Sequence, residues 1–161
     1  MYSEKIEMLI NGQWCQGSEG KSQPLLNPAT EEIIAEVPHA SKTDLDNALQ
    51  ASAEGFSVWR NIPPLQRQSI MEKAARLMED RIEEIAKNLT MEMGKPLAEA
   101  KVELGFVIDA TRWYAEEGKR AYGRLVPSRI PGVRQMVTKE PVGPACAFVA
   151  WNFPGTNSIR K

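Results

Sequence analysis

Apolar and polar positions along the chain change rhythm twice. The first forty residues carry short apolar runs separated by turn residues. Met8-Leu9-Ile10 and Gln13-Trp14-Cys15 flank Asn11-Gly12, the dipeptide suited to the two positive φ angles of a type I′ turn, so a small hairpin is expected. Asn27-Pro28-Ala29-Thr30 reads as a second turn and Ile33 to Val37 as a short strand after it. From Ser41 the spacing becomes helical. Ser41 fits an N-cap, Asp44 and Asp46 fit the positively polarised first turn, and Leu45, Ala48, Leu49, Phe56 and Trp59 approximate one face. Pro63-Pro64 stops that helix and begins the next. There Ile70, Ala74, Leu77, Met78, Ile82, Ile85 and Leu89 keep helical spacing until Gly94-Lys95-Pro96 interrupts. A third helix is expected from about Leu97 to Glu117. Beyond Tyr122 the pattern returns to short runs cut by Pro and Gly, which predict strands at Leu125-Val126, Met136-Val137-Thr138 and Ala145 to Ala150. The last is apolar on both faces, as a strand buried in a parallel sheet would be, and the segment after it starts like a crossover helix. The fold class expected from this order is α/β, with its final unit cut short.

Composition narrows the classes without choosing among them. The 161 residues are 42% hydrophobic and 25% charged, enough for one domain with a core. With 20 basic against 21 acidic residues nothing draws the chain to nucleic acid or an anionic membrane. Met1 to Ile10 contains Glu4, Lys5 and Glu7, which interrupts any signal-like or membrane-spanning run and points to the cytoplasm or an organelle matrix. Cys15 and Cys146 are far apart and His39 is the single histidine, so no metal or disulfide framework is expected. Cys146 stands in Pro-Ala-Cys-Ala-Phe-Val, a setting that predicts a buried, inert thiol rather than a nucleophile. Glu83, Glu84 and Arg112 read as solvated helix charges, and His39 as a surface loop residue.

Glu140-Pro141-Val142-Gly143-Pro144, leading through an apolar run to Trp151-Asn152-Phe153-Pro154, resembles the EPVG…WNFP signature of the aldehyde dehydrogenase superfamily in order and spacing. Asn27 to Thr30, Trp59 to Arg67, Glu92-Met93-Gly94-Lys95-Pro96, Tyr114 to Glu117 and Tyr122-Gly123-Arg124 are similar to that family in the same order, and the likeness runs through essentially the whole chain. It implies the incomplete amino-terminal part of a Rossmann-like NAD(P)-binding domain, helices plus the first parallel strand, with a β oligomerisation segment. Residues 1–121 would be the amino-terminal part of that domain, 122–143 the segment that pairs subunits into a homo-oligomer, and 144–161 the first strand and the start of the crossover helix. The family's Gly-rich cofactor turn, general-base glutamate and nucleophilic cysteine would lie beyond Lys161, so the chain alone is expected to be inactive.

The resemblance also assigns roles. In the family the WNFP asparagine donates to the oxyanion formed when a thiolate adds to an aldehyde, which makes Asn152 the donor here. Taken alone, Asn152 reads as a turn or N-cap residue. Phe148, Val149, Ala150 and Trp151 would border the NAD or NADP site, partly through main-chain atoms, although Ala150 stands where the family often has proline; core packing is the ordinary reading of Phe148 and Val149. Arg160 occupies a position at the aldehyde tunnel where semialdehyde-oxidising branches carry arginine, most like the succinate-semialdehyde dehydrogenase branch. Its planar fork suits the carboxylate of such an aldehyde, with Phe153 and Phe106 as apolar walls, if Asn152 and Arg160 share one helix and one pocket. The alternative is a solvated helix charge. For the function two classes therefore stand: part of an NAD(P)-dependent dehydrogenase oxidising a semialdehyde or another aldehyde, or a non-catalytic oligomerisation fragment.

Overall fold

The computed structural model describes residues 5–161. The reading of residues 1–4, Glu4 included, lies outside the described residues. The chain runs β1 (Met8–Ile10), β2 (Gln13–Cys15), β3 (Ser22–Leu26), β4 (Ile33–Pro38), α1 (Lys42–Trp59), α2 (Pro64–Asp80), α3 (Ile82–Met93), α4 (Leu97–Glu117), β5 (Arg124–Pro127), β6 (Arg134–Val137) and α5 (Pro154–Arg160), with a short 3-10 turn at Gly118–Arg120. The strands pair antiparallel as β1–β2, β3–β4 and β5–β6, three separate two-stranded sheets among the described residues.

The local signals act where they stand. Asn11 and Gly12 take φ of 51° and 74°, closing the β1–β2 hairpin in the left-handed region that Gly and Asn tolerate. Ser41 caps α1 in a reciprocal box. Its hydroxyl accepts from the Asp44 backbone N–H at 3.1 Å, and the Asp44 carboxylate accepts from the Ser41 N–H at 2.8 Å. Ser18 joins from the preceding loop, donating its backbone N–H to Asp44 Oδ2 at 2.9 Å. These donors, the Ser18 N–H foremost, hold the Asp44 carboxyl down to about 2. Pro64 opens α2 at a position where its missing N–H costs nothing. Gly94 ends α3 at φ 76°, and Pro96 turns the chain into α4.

Packing centres on α4. Ala100, Leu104, Val107, Ile108, Thr111 and Ala115 lie buried along one stripe of it. Ala86 and Leu89 of α3 complete the cluster with Ala100 and Leu104, while Ile82, Ile85 and Met93 pack at its margin. Helix α2 packs against the same helix, and its Ala75 is wholly buried. Arg112, expected to be a solvated charge, reaches from α4 to α2 instead and donates to Glu79 at 2.6 Å. Glu83 pairs with Lys101 across α3 and α4. His39 is exposed in its loop, as expected.

Three expectations are corrected. The long second helix is two, broken at Arg81 (φ −109°, ψ 15°), because the short kink preserves the phase of the apolar stripe and hides the break from periodicity. On α1 the expected apolar face is present, with Ala48 and Phe56 half-buried and Leu45 and Leu49 exposed, and α1 touches mainly β1. The run Ala145 to Ala150 forms no strand, and all six residues are exposed. A strand exists only with a ladder partner, and none of the described residues offers one to this segment. Cys146 is consequently exposed, not buried. Strand β3, by contrast, was not expected. Its Pro24 and polar Ser22-Gln23 give it a weak signal, and pairing to β4 makes it a strand.

Candidate active site

The segment Trp151 to Thr156 is held from two sides by side chains far away in sequence. Trp151 and Asn152 form a turn, Phe153 takes the N-cap position of α5, and Pro154 is its first helical residue. The start of a helix leaves backbone N–H groups without intrahelical partners. Here Pro154 has none to satisfy, and the N–H groups of Gly155 and Thr156 donate to one carboxylate oxygen, Glu103 Oε1, at 3.0 and 3.1 Å. The next donor, Asn157 N–H, closes the first turn on the Phe153 carbonyl at 2.9 Å. The N–H groups of Gly155, Thr156 and Asn157 are thus partnered without a capping side chain from α5 itself.

Glu103 belongs to the buried stripe of α4 and is 2% exposed. A carboxylate there needs a counter-charge. Lys95, at the α3–α4 corner, supplies it: its ammonium bonds Glu103 Oε2, and the two side chains are 10% and 1% exposed. The same ammonium donates to the Asn152 carbonyl at 3.2 Å and sits 3.9 Å above the Phe153 ring centroid. Small side chains make room for this contact. A Cβ on Gly155 would lie 3.0 Å from Val107 Cγ2 and 3.4 Å from Glu103 Oε1.

Asn152 lies in a turn and not at the N-cap, and Phe148 and Val149 are not packed within the described residues. Asn152 precedes the cap, and its side-chain amide makes no hydrogen bond among the described residues; only its carbonyl is engaged. Phe148 and Val149, for which core packing was the ordinary reading, are exposed, and so are Ala150 and Trp151. The Phe148 carbonyl accepts from Lys161 Nζ at 2.5 Å, which folds the extended run back toward the end of α5.

Arg160 lies at the other end of α5, beside a hollow of about 290 Å³ lined with Met71, Thr111, Tyr114, Ile159 and Lys161. Asn152 and Arg160 therefore do not share a helix, which corrects the count of two turns between them, because α5 begins only at Pro154. Phe153 is half-exposed. Phe106 is exposed on α4 and does not line the hollow at Arg160.

Glu103 was missed by the sequence reading, where it passes for one more charge in Ala100-Lys101-Val102-Glu103. A signal existed: Glu103 shares its helical phase with Ala100, Leu104, Val107 and Thr111, and an acid on an apolar stripe needs a partner.

The family model described as "Aldehyde dehydrogenase family" matches residues 14–161. Across 155 residues the chain is 43% identical to 4-(hydroxymethyl)benzenesulfonate dehydrogenase TsaD1 of Comamonas testosteroni, covering 96% of this chain and 33% of that one. A succinate semialdehyde dehydrogenase of Acinetobacter baylyi is 35% identical over 95% of this chain and 32% of its own length. A solved aldehyde dehydrogenase structure from Brucella melitensis biovar abortus superposes with a TM-score of 0.95 at 36% identity, again covering 98% of this chain and 32% of the other. The mixed helix and strand fold matches the amino-terminal part of such structures, and the chain spans about a third of the length of the relatives it matches.

Proposed function

Because the chain belongs to the aldehyde dehydrogenase family, we propose that it is the amino-terminal part of an NAD(P)-dependent enzyme that oxidises an aldehyde bearing an anionic group to the acid. The carrying observation is the unused amide of Asn152. Asn152 stands one residue before the N-cap Phe153, its side chain makes no hydrogen bond among the described residues, and Glu103 takes the N–H groups of Gly155 and Thr156 in its place. A fixed amide donor of this kind stabilises an oxyanion as it forms at the aldehyde carbon, and losing one such donor typically costs roughly 3–4 kcal/mol. The nucleophile and the general base are not assigned within these residues, so the chain by itself is inactive in this reading.

Residues 148–151 fit a dinucleotide in one respect. They lie in no β-ladder and are exposed, so no strand pairing among the described residues occupies their main chain. The nicotinamide group, when bound, supplies the hydride acceptor. The chain's own part is to orient it and to keep Asn152 beside the aldehyde.

Arg160 is assigned to the anionic end of the substrate, with Phe153 and Phe106 as the apolar walls. Support comes from the tilt of helical side chains toward the N-terminus, which sends Arg160 back along α5 in the direction of Asn152. A carboxylate is one anion that its fork grips in bidentate fashion, as a succinate semialdehyde would require. A sulfonate is the second, favoured by the name of the 43% identical relative. The hairpin β5–β6 within 122–143, with Leu125 and Met136 exposed, is assigned to pairing between subunits. A cytoplasmic or organelle-matrix setting suits this chemistry; among the described residues no helix is long and apolar enough to cross a membrane.

The test is aldehyde-dependent reduction of NAD+ and NADP+ by the full-length protein, comparing succinate semialdehyde, a sulfonated aldehyde and an uncharged aldehyde of similar length. Turnover highest with an anionic aldehyde is expected. Equal turnover of all three would remove the anionic-substrate assignment, and none with any aldehyde would remove the dehydrogenase.

A further inference from the structure

The Lys95 ammonium has three N–H directions and the structure accounts for what surrounds them: the Glu103 carboxylate, the Asn152 carbonyl and the face of Phe153. Glu103 is equally occupied, one oxygen on Lys95 and the other on the N–H groups of Gly155 and Thr156. The hydrogen bonds and the ring contact of this buried pair outside its own corner fall on Asn152 to Thr156, a segment about fifty residues or more away in sequence. If the pair served only to hold α4 together, its hydrogen bonds would end within α3 and α4. They end instead on the Asn152 carbonyl, on the ring of the residue that follows it, and on the N–H groups of Gly155 and Thr156 in the first turn of the helix onto which Asn152 leads.

We propose that Lys95 and Glu103 are positioning residues for the Asn152 amide, a proposal that rests on the reading of Asn152 as the oxyanion donor. Anchoring the Asn152 carbonyl fixes the peptide plane after its Cα, and clamping Gly155 and Thr156 fixes the helix onto which that plane leads. Only the side-chain torsions of Asn152 are then free, and the ordering of the turn is complete before substrate arrives. Electrostatic stabilisation of an oxyanion depends on donors that need not reorganise, so the effect belongs in the turnover step and not in cofactor affinity.

A double-mutant cycle in the full-length enzyme separates positioning from simple stability, because residues acting through one another fail to add. Lys95→Met is expected to lower kcat by about tenfold while the KM for NAD(P)+ moves less than about threefold, and in an Asn152→Ala background to lower kcat by less than about twofold. Glu103→Gln, which retains an oxygen for Gly155 and Thr156 but loses the charge facing Lys95, is expected to show the same non-additivity and serves if Lys95→Met does not fold. Equal fold-losses in both backgrounds would mean a structural role only and would overturn the proposal. So would an undiminished kcat in both variants beside a large loss in Asn152→Ala. If the unsubstituted protein turns over no aldehyde, or Asn152→Ala keeps full kcat, the functional reading itself fails and this inference falls with it.

Discussion

Glu103 accepts a hydrogen bond from the backbone N–H of Gly155 at 3.0 Å, joining the middle of α4 to the start of α5 across 52 residues of chain. The same carboxylate takes Thr156 and Lys95, so removing it leaves two N–H groups and one ammonium without their partner in a buried place. Glu103→Leu is expected to destabilise the full-length protein by about 3–5 kcal/mol, the usual consequence of breaking one half of a buried pair. The urea midpoint measures it. Adding Lys95→Met to Glu103→Leu should recover part of the loss, since the stranded charge goes with it; a double variant less stable than either single one would contradict this account.

Substrate selection is expected to follow Arg160. In the full-length enzyme Arg160→Leu should raise the KM for succinate semialdehyde at least about tenfold, or roughly 1.4 kcal/mol, the lower end for a hydrogen-bonded charged contact. An uncharged aldehyde of similar length should be spared. Steady-state kinetics with both aldehydes decides it, and equal effects would leave Arg160 as a solvated helix charge.

Acid should loosen the cap of α1 in a narrow window. The Asp44 carboxyl is held at about 2 against an ordinary 3.8, so its contribution is present above about pH 4 and is lost as pH falls through about 2. Replacing it with asparagine removes the titration. Urea midpoints recorded from pH 5 down to about 2 should fall more steeply for the unsubstituted protein than for Asp44→Asn. Parallel slopes would show that Asp44 does not carry the acid sensitivity of this corner.

Gly94 sets the corner from which Lys95 projects. With φ at 76° and Pro28 Cγ 3.1 Å from where a Cβ would sit, Gly94→Ala meets both backbone strain and a close neighbour. A loss of roughly 1–2 kcal/mol is expected from the left-handed conformation alone. Thermal unfolding reads it, and an unchanged midpoint would mean that the corner relaxes without consequence.

Much of this protein is local and therefore legible in its sequence. Asn11-Gly12, the Ser41–Asp44 box, Pro64, and Gly94 with Pro96 act through their own backbone angles or through donors a few residues away, and the helices they delimit stand where the pattern puts them. The aldehyde dehydrogenase likeness was legible for the same reason, since its motifs are contiguous runs. What depended on distant partners was not. Strand β3 exists because β4 pairs with it, and Ala145 to Ala150 is no strand because nothing described pairs with it, whatever its apolar content. The kink at Arg81 keeps the helical phase and so leaves no trace in periodicity. Asn152 could be picked out by motif, but that it stands in the turn before α5, with the helix start held by Glu103 from another helix 49 residues earlier, was not legible. A buried carboxylate must find its hydrogen bonds somewhere, and only the tertiary structure says that it finds them at the turn carrying Asn152.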